Sequence, residues 1–264
     1  ATDLNKDGEL QCVRIPPKPD AVRSAERAAG WKVSLPLVAP DGQFRAVWQL
    51  SLRDGSNYVR QELTMTSQVS ESPSELRLGG LGAPDAVVAG AVDGSPVVAG
   101  NWFFACEHPM AVHRVEDGAI SVSLPRYRPL AAGETWTVSW AIGVVPAGQL
   151  RRGFLYYVER ERVRPYSPLA YYISWFDIAA PDRKMNEAQC LAVIEAFGTE
   201  LVKRRGAKLD GFVFDDGWDD NRTLWQFHAG FPRGFVPLRD AAAGYDGILG
   251  TWISPWGGYG KAKA

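Results

Sequence analysis

With 264 residues, 46% hydrophobic and 22% charged, the chain is long enough for one large domain or two ordinary ones and can bury a core without staples. Its 29 Lys and Arg balance 30 Asp and Glu to a net charge of -1 with no basic block, which argues against a nucleic-acid surface, and no apolar run approaches the length of a membrane-spanning helix. Cys12, Cys106 and Cys190 are odd in number and far apart, which argues against a disulfide framework or a thiolate zinc site.

The first residue is Ala1. It suggests a removed leader or a fragment, with a periplasmic or secreted location preferred and the compartment otherwise open. Residues 1–30, polar and carrying Pro16, Pro17 and Pro19, read as an extended lead-in. Within them Asp3-x-Asn5-x-Asp7-Gly8 matches the start of a calcium loop, but Arg14 stands where the bidentate Glu belongs. A turn is the better reading.

Residues 31–150 alternate with period two. Phe44, Ala46, Trp48, Leu50 and Leu52 form one run, Asp54-Gly55 a turn, and residues 58–65 the return. Ile120, Val122 and Leu124 repeat the pattern, as do Trp136, Val138, Trp140, Ile142 and Val144. With no amphipathic helix evident, this stretch reads as an antiparallel β-sandwich.

After Arg164-Pro165 and Ser167-Pro168 a second domain is expected over residues 165–264. Residues 171–177 are expected to form a strand buried on both faces. A helix should follow, capped by Asn186 with Gln189 as its capping-box partner, burying Leu191, Ile194, Phe197 and Leu201, and stopped by Gly206 after Lys203-Arg204-Arg205. A second strand over 211–216, a short helix over 236–243 and a third strand over 248–255 complete right-handed βαβ units around a parallel sheet.

In such architectures the reactive groups sit at the C-terminal strand ends. Those ends are Trp175-Phe176-Asp177, Asp215-Asp216-Gly217-Trp218 and Trp252-Ile253-Ser254-Pro255-Trp256. Adjacent acids after a buried strand are costly unless something binds them. A carboxylate can hold sugar hydroxyls bidentately, and aromatic faces suit the C–H faces of sugars. The competing reading, in which one Asp caps a helix and the other is solvated, stands level on spacing alone. A dinuclear metal site is weaker, since no nearby His or third acid is evident. His108 and His113, spaced i, i+5 in a strand region, read as structural histidines, and His228 as a surface-loop residue. Asp177 and Glu107 are acids without a located partner, and no nucleophile elbow is present.

Asp215-Asp216-Gly217-Trp218, Phe231-Pro232-Arg233-Gly234 and Gly250-Thr251-Trp252-Ile253-Ser254-Pro255 together resemble the α-galactosidase clan, glycoside hydrolase families 27 and 36. Tyr172-Ile173-Ser174-Trp175-Phe176-Asp177 is similar to the clan's first barrel strand. Tyr58-Val59-Arg60-Gln61-Glu62 and Trp102-Phe103-Phe104-Ala105-Cys106-Glu107-His108-Pro109 resemble the sandwich that precedes the barrel in family 36. The resemblance implies an antiparallel β-sandwich followed by the first three strand–helix units of a (β/α)8 TIM barrel. It implies a retaining α-glycosidase for a terminal galactose-like sugar on an oligosaccharide or glycoconjugate, without cofactor or metal. Asp215 and Asp216 would hold the sugar's distal hydroxyls, and Trp175, Trp218, Trp252 and Trp256 would line its pocket. The nucleophile and the acid/base, about 5–5.5 Å apart in retaining enzymes, are implied on the fourth and sixth strands, so these residues alone are expected to be inactive. Pro255 is followed by Trp256 where the clan usually has an acid, which leaves N-acetylgalactosamine or another α-linked sugar open. A non-catalytic carbohydrate-binding protein and a barrel glycosidase for another linkage are the alternatives.

Overall fold

The computed structural model describes residues 3–70 and 75–254. The chain divides into two compact units, Ala1–Pro165 and Tyr166–Ala264.

The first unit is built from β1 (Asn5–Lys6), β2 (Gln11–Ile15), β3 (Gly30–Val38), β4 (Phe44–Arg53), β5 (Tyr58–Ser67), β6 (Glu75–Gly82), β7 (Val87–Val88), β8 (Val97–Ala99), β9 (Trp102–Cys106), β10 (Val112–Glu116), β11 (Ala119–Pro125) and β12 (Thr135–Val144). A nine-stranded sheet runs β1-β3-β4-β5-β12-β9-β8-β7, with β2 also on β3, and a three-stranded sheet runs β10-β11-β6. Every strand pair in the two sheets is antiparallel. The alternating residues meet between the sheets: Ile120, Val122 and Leu124 of β11 share one cluster with Leu63 and Met65 of β5 and Val138 and Trp140 of β12. Asp54-Gly55 turns β4 into β5, with Gly55 at φ +78°, a conformation that favours glycine.

One expectation fails in this unit. The lead-in is not separate from the sheet, because Gln11–Ile15 pairs with β3 from Gln11↔Ser34 to Ile15↔Gly30, and Asn5–Lys6 pairs with its far end. The residues of β1 and β2 are almost all exposed, so they add main-chain hydrogen bonds rather than core, and hydropathy carries no trace of them. The supposed calcium stretch is likewise strand edge, with Asp7 paired to Arg45 at 2.8 Å. A helix, α1 (Leu150–Glu161), follows β12 in the stretch between the two expected domains, where no element was expected. It lays Tyr157 and Phe154 on the outer face of the large sheet, where the Tyr157 ring centre lies 5.0 Å from that of Tyr58 and Phe154 meets Phe103 edge-on at 5.2 Å. Its exposed face is so charged that its apolar stripe is only two or three residues wide. His113 is 8% exposed and its Nε2 accepts the Cys106 N–H, while His108 Nδ1 accepts the Met110 N–H. Both act within the connection from β9 to β10.

The second unit contains β13 (Tyr171–Ile173), α2 (Glu187–Phe197), β14 (Gly211–Phe214), α3 (Val236–Ala243) and β15 (Ile248–Thr251). The three strands form a parallel sheet in the order β13-β14-β15, with Tyr172↔Phe212 and Phe212↔Leu249 in register. Tyr172, Phe212, Phe214 and Leu249 pack with Cys190 and Ile194 of α2 and Leu238 and Ala242 of α3. Among the described residues the other face has no such layer: Tyr171 is 47% exposed and Ile248 69%. Among these residues the first strand is covered on one face only, and it is shorter than expected, because residues Ser174–Phe176 coil into a 3-10 turn.

Helix α2 begins as the sequence indicates. The Asn186 side chain accepts the Gln189 N–H at 3.0 Å and Gln189 reciprocates on the Asn186 N–H. Asn186→Ala is expected to cost about 1 kcal/mol, read as a lower thermal midpoint and faster exchange of the Gln189 amide; unchanged exchange there would refute the capping role. Beyond Phe197 the helix widens into a π-type turn, Gly198–Lys203. At Gly198 a Cβ would lie 2.4 Å from the Tyr245 ring. Gly206, at φ +64°, ends the run. Among the described residues no helix is long and apolar enough to cross a membrane.

Candidate functional site

Three parallel strands ending on one side bring their terminal residues together. The ends are tied by short hydrogen bonds. Ser174, fully buried, accepts the Asp215 N–H on its Oγ at 2.8 Å. The Trp252 N–H donates to the Phe214 carbonyl at 3.1 Å, and Thr251 Oγ1 donates to the same carbonyl at 2.9 Å. The Ile173, Val213 and Gly250 face of the sheet carries a cleft of about 310 Å³, lined also by Asp215 and Trp252.

The two adjacent acids have different surroundings. Asp215 is half-buried on the cleft, and its Oδ1 accepts the Asp216 N–H at 2.7 Å. Asp216 is 4% exposed and does not line the cleft. Burial pushes its carboxyl above the ordinary aspartate range; Asp219 and Asp215 add to this, and the Arg183 guanidinium opposes it. Arg183 also lies over the Trp175 ring, 5.2 Å from its centre, so Trp175 and Asp216 share one cationic neighbour.

Gly217 makes this turn possible. Its φ is +116°, and a Cβ there would lie 2.5 Å from the Arg183 carbonyl oxygen. The β13–α2 and β14–α3 loops therefore touch backbone to backbone, and the Met185 N–H donates to the Gly217 carbonyl at 3.2 Å. His228 closes the contact. Its Nδ1 accepts the Gly230 N–H at 2.9 Å, which leaves a proton on Nε2 for the carbonyls of Met185 and Gly217 at 3.0 and 3.1 Å. It is a clasp between loops rather than a surface residue.

The tryptophans separate into different roles. Trp175 is half-buried and Trp252 partly exposed on the cleft. Trp218 is 4% exposed, stacked 5.9 Å from Trp225 and packed at 5.2 Å against both Phe227 and Phe235, and its Nε1 donates to the Trp252 carbonyl at 3.1 Å. This corrects its placement in the pocket lining: the indole is a core strut beneath the site. Trp256 lies outside the described residues. Asp177 accepts the Tyr172 hydroxyl at 2.8 Å, and Glu107 is held by Arg60 in the first unit.

Arg183, Asp219 and the clasp role of His228 are absent from the sequence reading. Only the positive φ of Arg183 and the buried position of Asp219 mark them, and neither is visible without coordinates. The first unit has a cleft of about 480 Å³ between its sheets, lined mostly by apolar side chains with Trp48 and Trp140, joined by Gln61 and Arg77, and among the described residues without a carboxylate.

No protein-family model matches the sequence, and no curated protein matches it either. Solved structures do. The α-galactosidase AgaA of family GH36 from Geobacillus stearothermophilus aligns at a TM-score of 0.58 with 14% identity, and AgaB from the same organism at 0.58 with 15%. The galactosidase domain of an α-galactosidase-sucrose kinase, AgaSK, aligns at 0.56 with 12%. Each alignment covers 97% of this chain and 44% of the other, so the chain spans less than half the length of these structures. At such identities the likeness is one of fold, and in fold this chain resembles the N-terminal part of the GH36 α-galactosidases.

Proposed function

We propose that the chain is the N-terminal part of a retaining α-galactosidase-like glycosidase, with a β-sandwich preceding the first three units of a (β/α)8 barrel. One observation carries this reading: Asp215 and Trp252 line one cleft on a parallel sheet, in a fold shared with GH36 α-galactosidases over 97% of the chain. The half-covered sheet supports it as well, since parallel sheets are ordinarily buried on both faces and the apolar face of β13 and β15 is what further barrel strands would close. Asp215 accepts hydroxyls of a terminal galactose-like sugar, with Trp252 against its C–H faces. AgaA variants were crystallised with raffinose and with stachyose, and an α-galactoside of that kind is the substrate proposed for this chain.

The adjacent acids do not cut the bond. Neighbouring residues at a strand end diverge, whereas a retaining pair must flank one glycosidic linkage. The catalytic carboxylates belong on later strands. Galactose binding, followed by saturation-transfer NMR and calorimetry, is expected to weaken about 10- to 100-fold in Asp215→Ala, as one charge-assisted hydrogen-bond acceptor is lost, and to be unchanged in Asp246→Asn. Hydrolysis of an aryl α-galactoside is expected only from a protein that includes the later strands. Equal binding by Asp215→Ala, or hydrolysis by residues 1–264 alone, would overturn the assignment.

A further inference from the structure

The inner face of the large sheet carries one polar side chain where the alternation calls for an apolar one. On β5, Gln61 shares its face with the core residues Leu63 and Met65, and it stands opposite Leu50 of β4 and Trp140 of β12. It is 8% exposed and lines the cleft of about 480 Å³ between the two sheets. Trp48 Nε1 donates to its Oε1 at 3.0 Å. An indole N–H can only donate, so the amide oxygen is committed to Trp48 and the amide NH2 is the end left facing the cleft. That NH2 has no hydrogen-bond partner among the described residues. A buried donor on an apolar face is costly unless something accepts from it, and a leucine at this position would suit the core better.

The strand registers give this space a direction. Along β12 and β9 the paired residues run from Trp140 and Cys106, through Ile142 and Phe104, to Val144 and Trp102. Along β6 the lining passes from Arg77 to Leu81. A second cleft, of about 260 Å³, adjoins the first and shares Leu81, Phe104, Ile120 and Ile142 with it before reaching Trp102. The first cleft holds the Gln61 amide and the exposed Arg77; the second has no charged side chain among its described lining residues. Arg77 donates through Nε to Glu75 at 2.6 Å, which does not exhaust a guanidinium with five N–H groups. The space is therefore donor-rich at one end and hydrocarbon at the other. Its size and its apolar lining with few polar groups are those of a small-molecule site.

We propose that the space between the sheets of the first unit is a binding site for an aliphatic monocarboxylate, a fatty-acid-like molecule. Its carboxylate accepts from the Gln61 amide and from Arg77 at the mouth, and its chain runs past Leu81, Phe104, Ile120 and Ile142 toward Trp102. A carboxylate fits because both polar groups offered are donors and no acid among the described lining residues repels it. A sugar fits poorly, since its hydroxyls would be buried without partners along the apolar stretch. The site is independent of the sugar-binding reading of the second unit.

The test is binding of octanoate, decanoate and dodecanoate to the intact chain, each below its micelle concentration, followed by calorimetry and by the indole N–H resonances of Trp48 and Trp140. One molecule per chain is expected, with affinity rising about two- to fourfold for each added methylene. Gln61→Glu keeps the acceptor for Trp48 and replaces the free donor by a carboxylate. It is expected to weaken dodecanoate about 10- to 100-fold and to leave dodecanol unchanged. Leu81→Trp, at a side chain 37% exposed, closes the passage between the clefts. Octanoate should then bind as before and dodecanoate no more tightly than octanoate, a result that decides the matter even where Gln61→Glu does not fold. Absence of saturable binding to the parent, with water alone on the Gln61 amide, overturns the proposal. Affinity that ignores chain length overturns it too, as does binding that Leu81→Trp leaves unchanged. Displacement of dodecanoate by raffinose at the Trp48 and Trp140 resonances would make this a sugar cleft and overturns it as well.

Discussion

Arg60→Ala is expected to destabilise the sandwich unit by about 3–5 kcal/mol, the cost of removing one partner from a buried ion cluster. Arg60 stands on β5 with its side chain 11% exposed and contacts three carboxylates: Glu107 at 2.7 Å, Glu62 at 3.0 Å and Glu161 at 3.6 Å. Glu107 also accepts the Ser139 hydroxyl at 2.6 Å and the Tyr157 hydroxyl at 2.8 Å, while Tyr58 donates to Glu161 at 2.7 Å. Burial pushes Glu107 upward, but the Arg60 guanidinium and these hydroxyls outweigh it and hold the carboxyl below the ordinary range. Burial wins at Glu161, whose carboxyl is raised. Glu161 ends α1 and Glu107 follows β9, so the guanidinium is what fastens the helix to the sheet at this point.

The pH response follows from these directions. The contribution of Glu107 is fully present above the ordinary glutamate value of about 4.3 and is lost as pH falls through its lowered folded value. Glu161 acts in the opposite sense: its contribution is present below that ordinary value and is lost as pH rises through its raised folded value. Arg60→Ala leaves Glu107 and Glu161 facing each other with only the weaker pull of Arg23 on Glu161, so the variant should lose the Glu107 contribution and gain stability on acidification more than the parent does. Urea unfolding at several pH values checks this. A loss below 1 kcal/mol at neutral pH, or parallel pH profiles for the two proteins, would show that the cluster is peripheral.

Gly217→Ala is the second large effect. A side chain at φ +116° carries about 1–3 kcal/mol of conformational strain, and the new Cβ would meet the Arg183 carbonyl oxygen at 2.5 Å and its carbon at 2.7 Å. Both are backbone atoms, so relief requires the β13–α2 loop to move as a whole. That movement carries Arg183 away from Asp216 and breaks the bond from the Met185 N–H to Gly217. Gly206→Ala is the control, because Gly206 has a positive φ of +64° with nothing within 4 Å of its would-be Cβ; it should cost only about 1–2 kcal/mol. Amide exchange at Met185 and near-ultraviolet circular dichroism from Trp218 and Trp225 report the loop directly. Equal losses for the two glycines, with Met185 protection intact, would remove the steric argument.

Much of this architecture is legible in the chain because it is encoded locally. The alternation at Ile120, Val122 and Leu124 requires one buried face, and the two sheets bury it. Asn186 and Gln189 cap a helix through bonds that span three residues. The short helix over Val236–Ala243 and the starts of β14 and β15 follow from the same periodicities, whereas both strands stop earlier than the expected 216 and 255, at Phe214 and Thr251.

What escaped the sequence depends on partners distant in the chain or on surfaces only packing creates. The strands β1 and β2 join the sheet through main-chain bonds while their side chains stay exposed, so no hydropathy pattern marks them. Trp175, Trp218 and Trp252 are the same residue type at equivalent strand ends; packing alone buries Trp218 among Trp225, Phe227 and Phe235 and leaves Trp252 on the cleft. Asp219 reads as one more polar loop residue until the fold closes over it and leaves an oxygen without a donor. The sequence by itself determined the succession of alternating strands and βαβ units and the two adjacent acids, because hydrophobic periodicity and capping act over a few residues. Only the tertiary structure decided which acids are buried and which indoles are open, because burial and charge pairing are properties of what surrounds a residue in space.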